Sequence, residues 1–566
     1  MSTPVAPVLI VGAGPAGLVL ALTLQKNRIP VRIIDKDPQY HTGQRGAGIQ
    51  PRTLDLYNLL GVLPDILAKG TPMAAIRIYK LPGGTEPIKT VYINPHEEPT
   101  AAIPHPNTWL LGQTSAEAIL RSHLAQYNCY VELGTELRGL EQHPDHVLAH
   151  VVKKNGAVEE QESVACRWLI GTDGARGIVR KLLEFELVGE TRVERAIVGE
   201  IGLKGLEKGY MHTWGDHSSL RILLRATENE GEFCFGIVGN LDHAKVVADR
   251  EELIRVIRQG TDRDDFEFGE LRWITDFQAN VRMVEKLSEG RVFLAGVPRA
   301  DRQGELNVLK RLILMCLLQG MNSSVQDAFN LGWKLALAEK SLASPSLLST
   351  YGEERLPVIA EMLKETTKLL EQRVAAQRDG SGSEAAWNAG DLMKQLTINY
   401  RWSSIVRDER VPAGEKSAVD PYGLLTAKGD PIRAGDRAPD APGLVDASTA
   451  GGDATSLSRV FGPSSHTVLV FSADIALIDA AVKAIEAYSR DIIHVVVIRP
   501  QDATNVVIAV GTAYMDLIDR EGHAYKNYSV AAGGFTAVIV RPDGVVGGIV
   551  SGGKGLKGYF DTIFSI

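Results

Sequence analysis

Pro7-Val8-Leu9-Ile10-Val11-Gly12-Ala13-Gly14-Pro15-Ala16-Gly17 opens a unit that runs through Leu18–Lys26 to Val31-Arg32-Ile33-Ile34-Asp35. A short apolar run breaks at Gly12-x-Gly14-x-x-Gly17, continues with helical apolar spacing, and returns to a second apolar run that ends in an acid. This is the order of a βαβ unit built to hold a dinucleotide. Gly12 permits the tight turn, Gly14 lets backbone approach a pyrophosphate, and Gly17 lets helix and strand pack closely. The helix start offers free N–H groups and the positive end of a dipole. Asp35 stands 21 residues after Gly14, where a carboxylate accepts the hydroxyls of an adenosine ribose and repels a 2′-phosphate. The tightly held nucleotide is therefore expected to be FAD or NAD and not NADP.

The totals bound the rest. A chain of 566 residues suggests about three or four folding units. With 44% apolar and 23% charged residues and a formal net charge of −8, nothing is basic enough for a phosphate backbone, so no nucleic-acid partner is expected. Cys129, Cys166, Cys234 and Cys316 are far apart and form no Cys-x-x-Cys, so neither a zinc cluster nor a disulfide framework is implied, and they read as reduced thiols in a reducing compartment. The nucleotide strand begins near residue 8, leaving no room for a secretory signal. The apolar run Leu312–Leu318 falls short of the roughly 20 residues that a membrane span needs. A cytoplasmic protein without a membrane partner is expected.

Farther along, Arg45-Gly46-Ala47-Gly48-Ile49-Gln50-Pro51 leads into a helix, residues 72–108 form a mixed strand and loop excursion, and Gln113–Leu124 reads as a second helix. Val147–Glu162 reads as a hairpin turning at Asn155-Gly156. Trp168–Gly171 and Arg291–Gly296 read as buried strands, residues 187–290 as a sheet-rich domain with one amphipathic helix near Arg250–Ile257, and Val325–Glu339 and Pro357–Leu370 as helices. Gly380-Ser381-Gly382-Ser383 marks a flexible point. The tail from Pro431 has its own α/β rhythm and ends in a hairpin around Pro542-Asp543-Gly544.

Three separated segments carry a resemblance. The Gly12–Gly17 loop with Asp35, the turn Gly171-Thr172-Asp173-Gly174-Ala175-Arg176, and the Arg291–Gly296 strand followed by Gly320-Met321-Asn322 resemble the three fingerprints of the single-component FAD-dependent aromatic hydroxylases, the phenol 2-monooxygenase type above all. The resemblance covers most of the chain, because the tail from Ile432-Arg433-Ala434-Gly435-Asp436 resembles the thioredoxin-like C-terminal domain of that branch. It implies an α/β fold: a Rossmann-type FAD-binding domain (1–71, 109–186 and 291–370), an inserted mainly-β substrate domain (72–108 and 187–290), a helical segment and linker (371–430), and a thioredoxin-like α/β domain (431–566). The tail has no Cys-x-x-Cys, so packing or homodimer contact is its expected role.

The implied chemistry is one bound FAD, NADPH or NADH visiting transiently, and O2 activated as a C4a-hydroperoxyflavin that hydroxylates a small aromatic substrate. Carried over by position, Gly12, Gly14, Gly17 and Asp35 serve the adenosine and pyrophosphate end, Arg45 the pyrophosphate region, and Gln113 the ribityl chain. Asp173 serves FAD and reductant binding, and Gly296, Gly320 and Asn322 lie toward the flavin ring. Ring attack also asks for a group to polarise a phenol, and Tyr210, His212 and Arg221 are the candidates within the sheet-rich domain.

One stretch departs from the family. There the Phe293-Leu294-Ala295-Gly296 strand is followed at once by an Asp that bonds the ribityl chain and by a Pro-containing loop over the flavin; here Val297 follows, and residues 297–318 replace both. Three readings stand side by side. The loop is remodelled, with Asp301 or Asn307 in place of the acid; or the stretch is foreign to the working protein, as from a misread exon boundary; or flavin chemistry is lost and the chain is a catalytically silent relative.

Overall fold

The structure is a computed structural model that describes residues 6–44, 46–156, 158–174, 176–186, 188–215, 220–296, 319–378, 393–412, 417–423, 430–447, 453–502, 515–531 and 533–565. Arg45, the 297–318 stretch with Asp301 and Asn307, and Gly380–Ser383 lie outside the described residues.

The opening unit forms as its spacing requires. Val8–Val11 is a fully buried strand, Pro15–Lys26 a helix with Pro15 in its first turn, and Val31–Ile34 the next strand. Val8–Val11 pairs in parallel with Val31–Ile34 on one side and with Trp168–Gly171 on the other. Val131–Glu132 and Val292–Leu294 extend the parallel sheet outward, and Ser288–Glu289 closes one edge antiparallel. The Pro15–Lys26 helix packs against the long Gln319–Glu339 helix; at Gly332 a methyl group would lie 2.7 Å from Thr23, so the small residue sets their closeness.

A second sheet of seven strands carries the expected sheet-rich domain. Its order is Glu267–Met283, Val188–Lys204, Glu232–Val238, Arg221–Ala226, Tyr210–Trp214, Ala75–Tyr79 and Pro87–Val91. Thus the excursion after residue 71 supplies its last two strands. Alternation gives the sheet two distinct faces. One carries Ile197, Trp214, Ile222, Leu224, Phe233, Phe235 and Ile237 and packs on Leu253, Val256 and Ile257 of the Arg250–Thr261 helix. The other carries Ala196, Met211, Leu223 and Val238 and is the face turned toward the nucleotide domain.

The C-terminal third forms a third large sheet, ordered Arg407–Asp408, Val546–Val550, Thr536–Val540, His466–Phe471, Ile493–Arg499, Met515–Asp519 and Leu444–Asp446, with the Ile475–Ala484 and Gly553–Ile563 helices against it. Two helices begin earlier than their sequence signals. The one expected from Val325 begins at Gln319, and the one expected from Pro357 runs from Thr350 to Arg378 with Pro357 inside it. Among the described residues no helix is long and apolar enough to cross a membrane, and no group of His, Cys, Asp and Glu has the arrangement of a metal site.

Candidate active site

The glycine loop makes a cradle whose shape follows from what a side chain would strike. Gly12 has φ +106°, and a methyl there would lie 2.7 Å from the Asp173 backbone nitrogen. At Gly17 it would lie 2.1 Å from the Gly12 carbonyl oxygen and 2.7 Å from Thr172 Oγ1. Thr172 Oγ1 donates to the Gly12 carbonyl at 2.6 Å. Gly14 differs: nothing lies within 4 Å of its outer side, and it caps the Pro15–Lys26 helix without any side-chain hydrogen bond. Pro15 has no N–H, and the Ala16 and Gly17 N–H groups stand in the first turn, where the helix offers no acceptor of its own; with the open side of Gly14 they make a place that fits a pyrophosphate. Asp35 flanks the same loop, accepting the Ala13 N–H on Oδ2 at 2.8 Å and the Asp37 N–H on Oδ1 at 3.0 Å. A carboxylate has about four acceptor positions, so room remains for ribose hydroxyls.

Farther along the groove, Asp173 turns into its own turn. Its Oδ2 accepts the Val179 N–H at 3.2 Å, and burial raises its carboxyl above the ordinary range. Gly296, at φ +71°, donates its N–H to Asp327 Oδ2 at 3.3 Å and faces Ala16 and Ser324, where a methyl would come within 2.9 Å of each. Gly320 is exposed in the first turn of the Gln319–Glu339 helix. Asn322 is completely buried; its Oδ1 accepts the Gln50 N–H at 2.8 Å and its Nδ2 donates to the Gly48 carbonyl at 2.8 Å. The sequence reading opened this helix only at Val325; Asn322 is already helical and grips the strand after Arg45. Gln113 opens the Gln113–Ala125 helix, donates its backbone N–H to the Gly46 carbonyl at 3.0 Å and its amide Nε2 to Glu117 at 2.8 Å.

Strand alternation separates the three candidate polar groups of the second sheet. Tyr210 and His212 stand on the helix-packed face, away from the cofactor domain. His212 is fully buried in a row formed by Ile274, Gly199, Phe235, Leu224 and Arg77. Its Nδ1 meets the Tyr79 hydroxyl at 2.8 Å, its Nε2 meets the Glu207 carbonyl at 2.7 Å, and burial lowers its pKa. Tyr210 lies under the Arg77 guanidinium, 3.4 Å from ring centroid to Cζ. Arg221 alone of the three is on the other face, with Nη2 donating to the Gly215 carbonyl at 3.0 Å.

That other face holds polar groups the sequence reading did not single out. Trp273, Glu200, Cys234, Arg225, Met211 and Ile76 form one row across six strands, and Thr275, Val198, Gly236, Leu223, Thr213 and Ile78 form the next. Glu200 is 8% exposed and Thr213 4%; Oε1 of the first and Oγ1 of the second have no hydrogen-bond partner among the described residues. Burial, with Glu228 and Glu232 nearby, pushes the Glu200 carboxyl up to about 7, against the opposing pull of the Gln44 N–H and Arg225. The signal was present in the sequence, as an acid inside the apolar run Ala196–Leu203.

A glycine-lined dinucleotide cradle beside a large, mainly antiparallel sheet defines the class: an α/β protein that seats a nucleotide cofactor next to a second, sheet-rich domain. Residues 5–297 and 318–366 match the family model described as FAD binding domain. The chain is 32% identical over 525 residues to a flavin-dependent monooxygenase of Mycobacteroides abscessus, spanning 91% of this chain and 99% of that one. It is 26% identical over 458 residues to pentachlorophenol 4-monooxygenase of Sphingobium chlorophenolicum, covering 77% and 76% of the two chains. In fold it is similar to the flavin-dependent monooxygenase PieE, whose structure was solved in complex with FAD and substrate, with a TM-score of 0.76, 22% identity and 98% of each chain covered. This chain belongs to the FAD-binding family of flavin-dependent monooxygenases. The family match breaks between residues 297 and 318, the same stretch that departs from the fingerprint in the sequence.

Proposed function

We propose that this FAD-dependent monooxygenase hydroxylates a phenolic or similarly electron-rich aromatic ring, consuming NAD(P)H and O2 and releasing NAD(P)⁺ and water. Bound FAD would supply the electron transfer and the activation of oxygen. The residues fit it: Gly12, Gly14, Gly17 and the uncapped helix start hold the pyrophosphate, and Asp35 the adenosine ribose. Gln113, Asp173, Gly296, Gly320 and the strip after Arg45 that Asn322 grips lead toward the ring end. The aromatic substrate lies against the face that carries Val198, Met211, Thr213 and Leu223, whose burial keeps water away. The C-terminal sheet, without cysteine, is proposed as a thioredoxin-like packing domain with no redox step.

The observation that carries this reading is the open side of Gly14 at an uncapped helix start, with Asp35 bonded to the same loop. The purified chain, given FAD and freed of the excess, is expected to keep a flavin absorption spectrum, and phenols are expected to stimulate its NAD(P)H oxidation. The break in the family match across 298–317 favours one alternative, a silent relative. Retained flavin without stimulation across a phenol panel would establish that alternative, and failure to retain flavin would sink the enzyme reading.

A further inference from the structure

Gly43 and Gln44 occupy the seam between the two sheets. The Gln44 side chain is held by opposite demands: its Oε1 accepts from Arg225 Nη2 at 2.8 Å, and its Nε2 donates to Glu228 Oε2 at 3.0 Å. A guanidinium has no acceptor and a carboxylate no donor, so only one orientation of an amide fits, and neither an acid nor a cation can replace it. The Gln44 backbone N–H lies near the Glu200 carboxyl and acts to lower its pKa. Gly43 lies against the Trp273 ring, where a side chain would come within 2.3 Å. Glu228 also accepts from Ser115 Oγ at 2.5 Å and from the Gly112 N–H at 3.3 Å, and Thr114 Oγ1 donates to the Gly43 carbonyl at 3.1 Å.

The strip continues on the cofactor side. The Gly46 and Ala47 carbonyls accept from Gln113 N–H and Leu111 N–H at 3.0 and 2.9 Å, and Gly48 and Gln50 are gripped by Asn322. One short strip is therefore bonded to the substrate sheet at its start and to the helices of the nucleotide domain along the rest.

We infer that Gln44 is a positioning residue that locks the strip of Gly43, Gln44 and Gly46–Gln50 to the substrate sheet, so that the seat of the cofactor depends on that sheet. The consequence for FAD rests on the flavoprotein reading above; the lock itself does not. Gln44→Glu leaves Arg225 its acceptor and sets a carboxylate against Glu228. Adding Glu228→Gln restores a donor at that contact while its other oxygen still accepts from Ser115. In the cofactor-free chain, hydrogen-exchange protection of the Gln44, Leu111 and Gln113 amides is expected to fall about tenfold in Gln44→Glu and to recover to within about threefold in the double variant. The FAD dissociation constant, read by flavin fluorescence, is expected to rise and recover in parallel. Protection unchanged within about twofold in the single variant, or no recovery in the double, would overturn the lock. A parent chain that binds no FAD defeats the flavoprotein reading alone, because the exchange measurement needs no cofactor.

Discussion

Glu200 is an acid inside an apolar strand, and its surroundings decide its charge. Burial and the neighbouring Glu228 and Glu232 push its carboxyl up to about 7, while the Gln44 N–H and Arg225 act in the opposite direction. A carboxyl raised in the folded state binds more protons folded than unfolded between its ordinary value near 4.5 and about 7. Its contribution is therefore fully present below the unfolded value and is lost as pH rises through about 7. The melting temperature of the cofactor-free chain is expected to fall between about pH 5 and pH 8. In Glu200→Gln, which keeps an acceptor for Gln44, the decline should flatten; an equally steep decline would show that other groups carry the pH response. Tyr210 and His212 teach the complementary lesson. Residue type marked them as candidates, but type carries no information about which neighbour covers each face of a strand. Only the pairing of His212 with Leu224 and Arg77, on the side covered by the Arg250–Thr261 helix, reveals their place.

The Pro15–Lys26 helix and its glycine loop were legible from sequence because every contact they make is local: a strand, a turn, a helix start and an acid at fixed spacing. The Gln319–Glu339 helix was legible only from Val325. Asn and Ser ordinarily compete for their own backbone, so Asn322-Ser323-Ser324 reads as a turn, whereas the Asn322 amide is satisfied by Gly48 and Gln50, far away in sequence. The turn before Pro357 is likewise held by distant partners: Arg355 Nε donates to Asp327 at 2.8 Å and its Nη1 to the Tyr400 hydroxyl at 2.8 Å. The cradle itself yields a paired prediction. Gly14 has φ −74° and open space beside it, so Gly14→Ala should leave the cofactor-free melting temperature within about 2 °C while weakening FAD binding about tenfold or more, because the methyl group stands where the phosphate approaches. Gly17→Ala instead places a methyl against the Gly12 carbonyl and Thr172 and should lower the melting temperature before any cofactor is added. Equal melting behaviour in the two variants would show that the loop tolerates both and that the close helix packing is not what Gly17 provides.

At the scale of the whole molecule, the C-terminal sheet is joined to the nucleotide domain through buried charge. Glu354 takes Arg541 Nη1 at 2.7 Å and Ser403 Oγ at 2.7 Å on one oxygen. Its other oxygen takes Lys334 Nζ at 2.8 Å, Arg541 Nη2 at 2.9 Å and Asn330 Nδ2 at 2.6 Å. Asp543, in the hairpin turn of the C-terminal sheet, accepts from Arg541 Nε at 3.0 Å and Trp333 Nε1 at 3.2 Å, and its carbonyl takes Arg52 Nη2 at 2.9 Å. Burial alone would raise the Glu354 carboxyl, but Arg541 and Lys334 hold it well below the ordinary carboxylate range; burial lowers Lys334 to about 8. Two cations and two carboxylates balance in a site shut off from solvent, and they come from the Gln319–Glu339 helix, the Thr350–Arg378 helix and the final hairpin. Breaking such a set by removing one charge leaves the others uncompensated and costs about 3–5 kcal/mol, whereas removing a balanced pair costs much less. Glu354→Gln is therefore expected to lower the urea midpoint by that equivalent, and Glu354→Gln with Lys334→Met, which restores the balance between Arg541 and Asp543, to recover a large part of it. Because the set spans both halves, the parent chain should unfold in one transition by fluorescence and by circular dichroism, and a chain ending at residue 430 should not fold stably. Two separate transitions in the parent, with the earlier one unmoved by Glu354→Gln, would mean that the C-terminal sheet stands on its own core and that the buried charges do not hold the halves together.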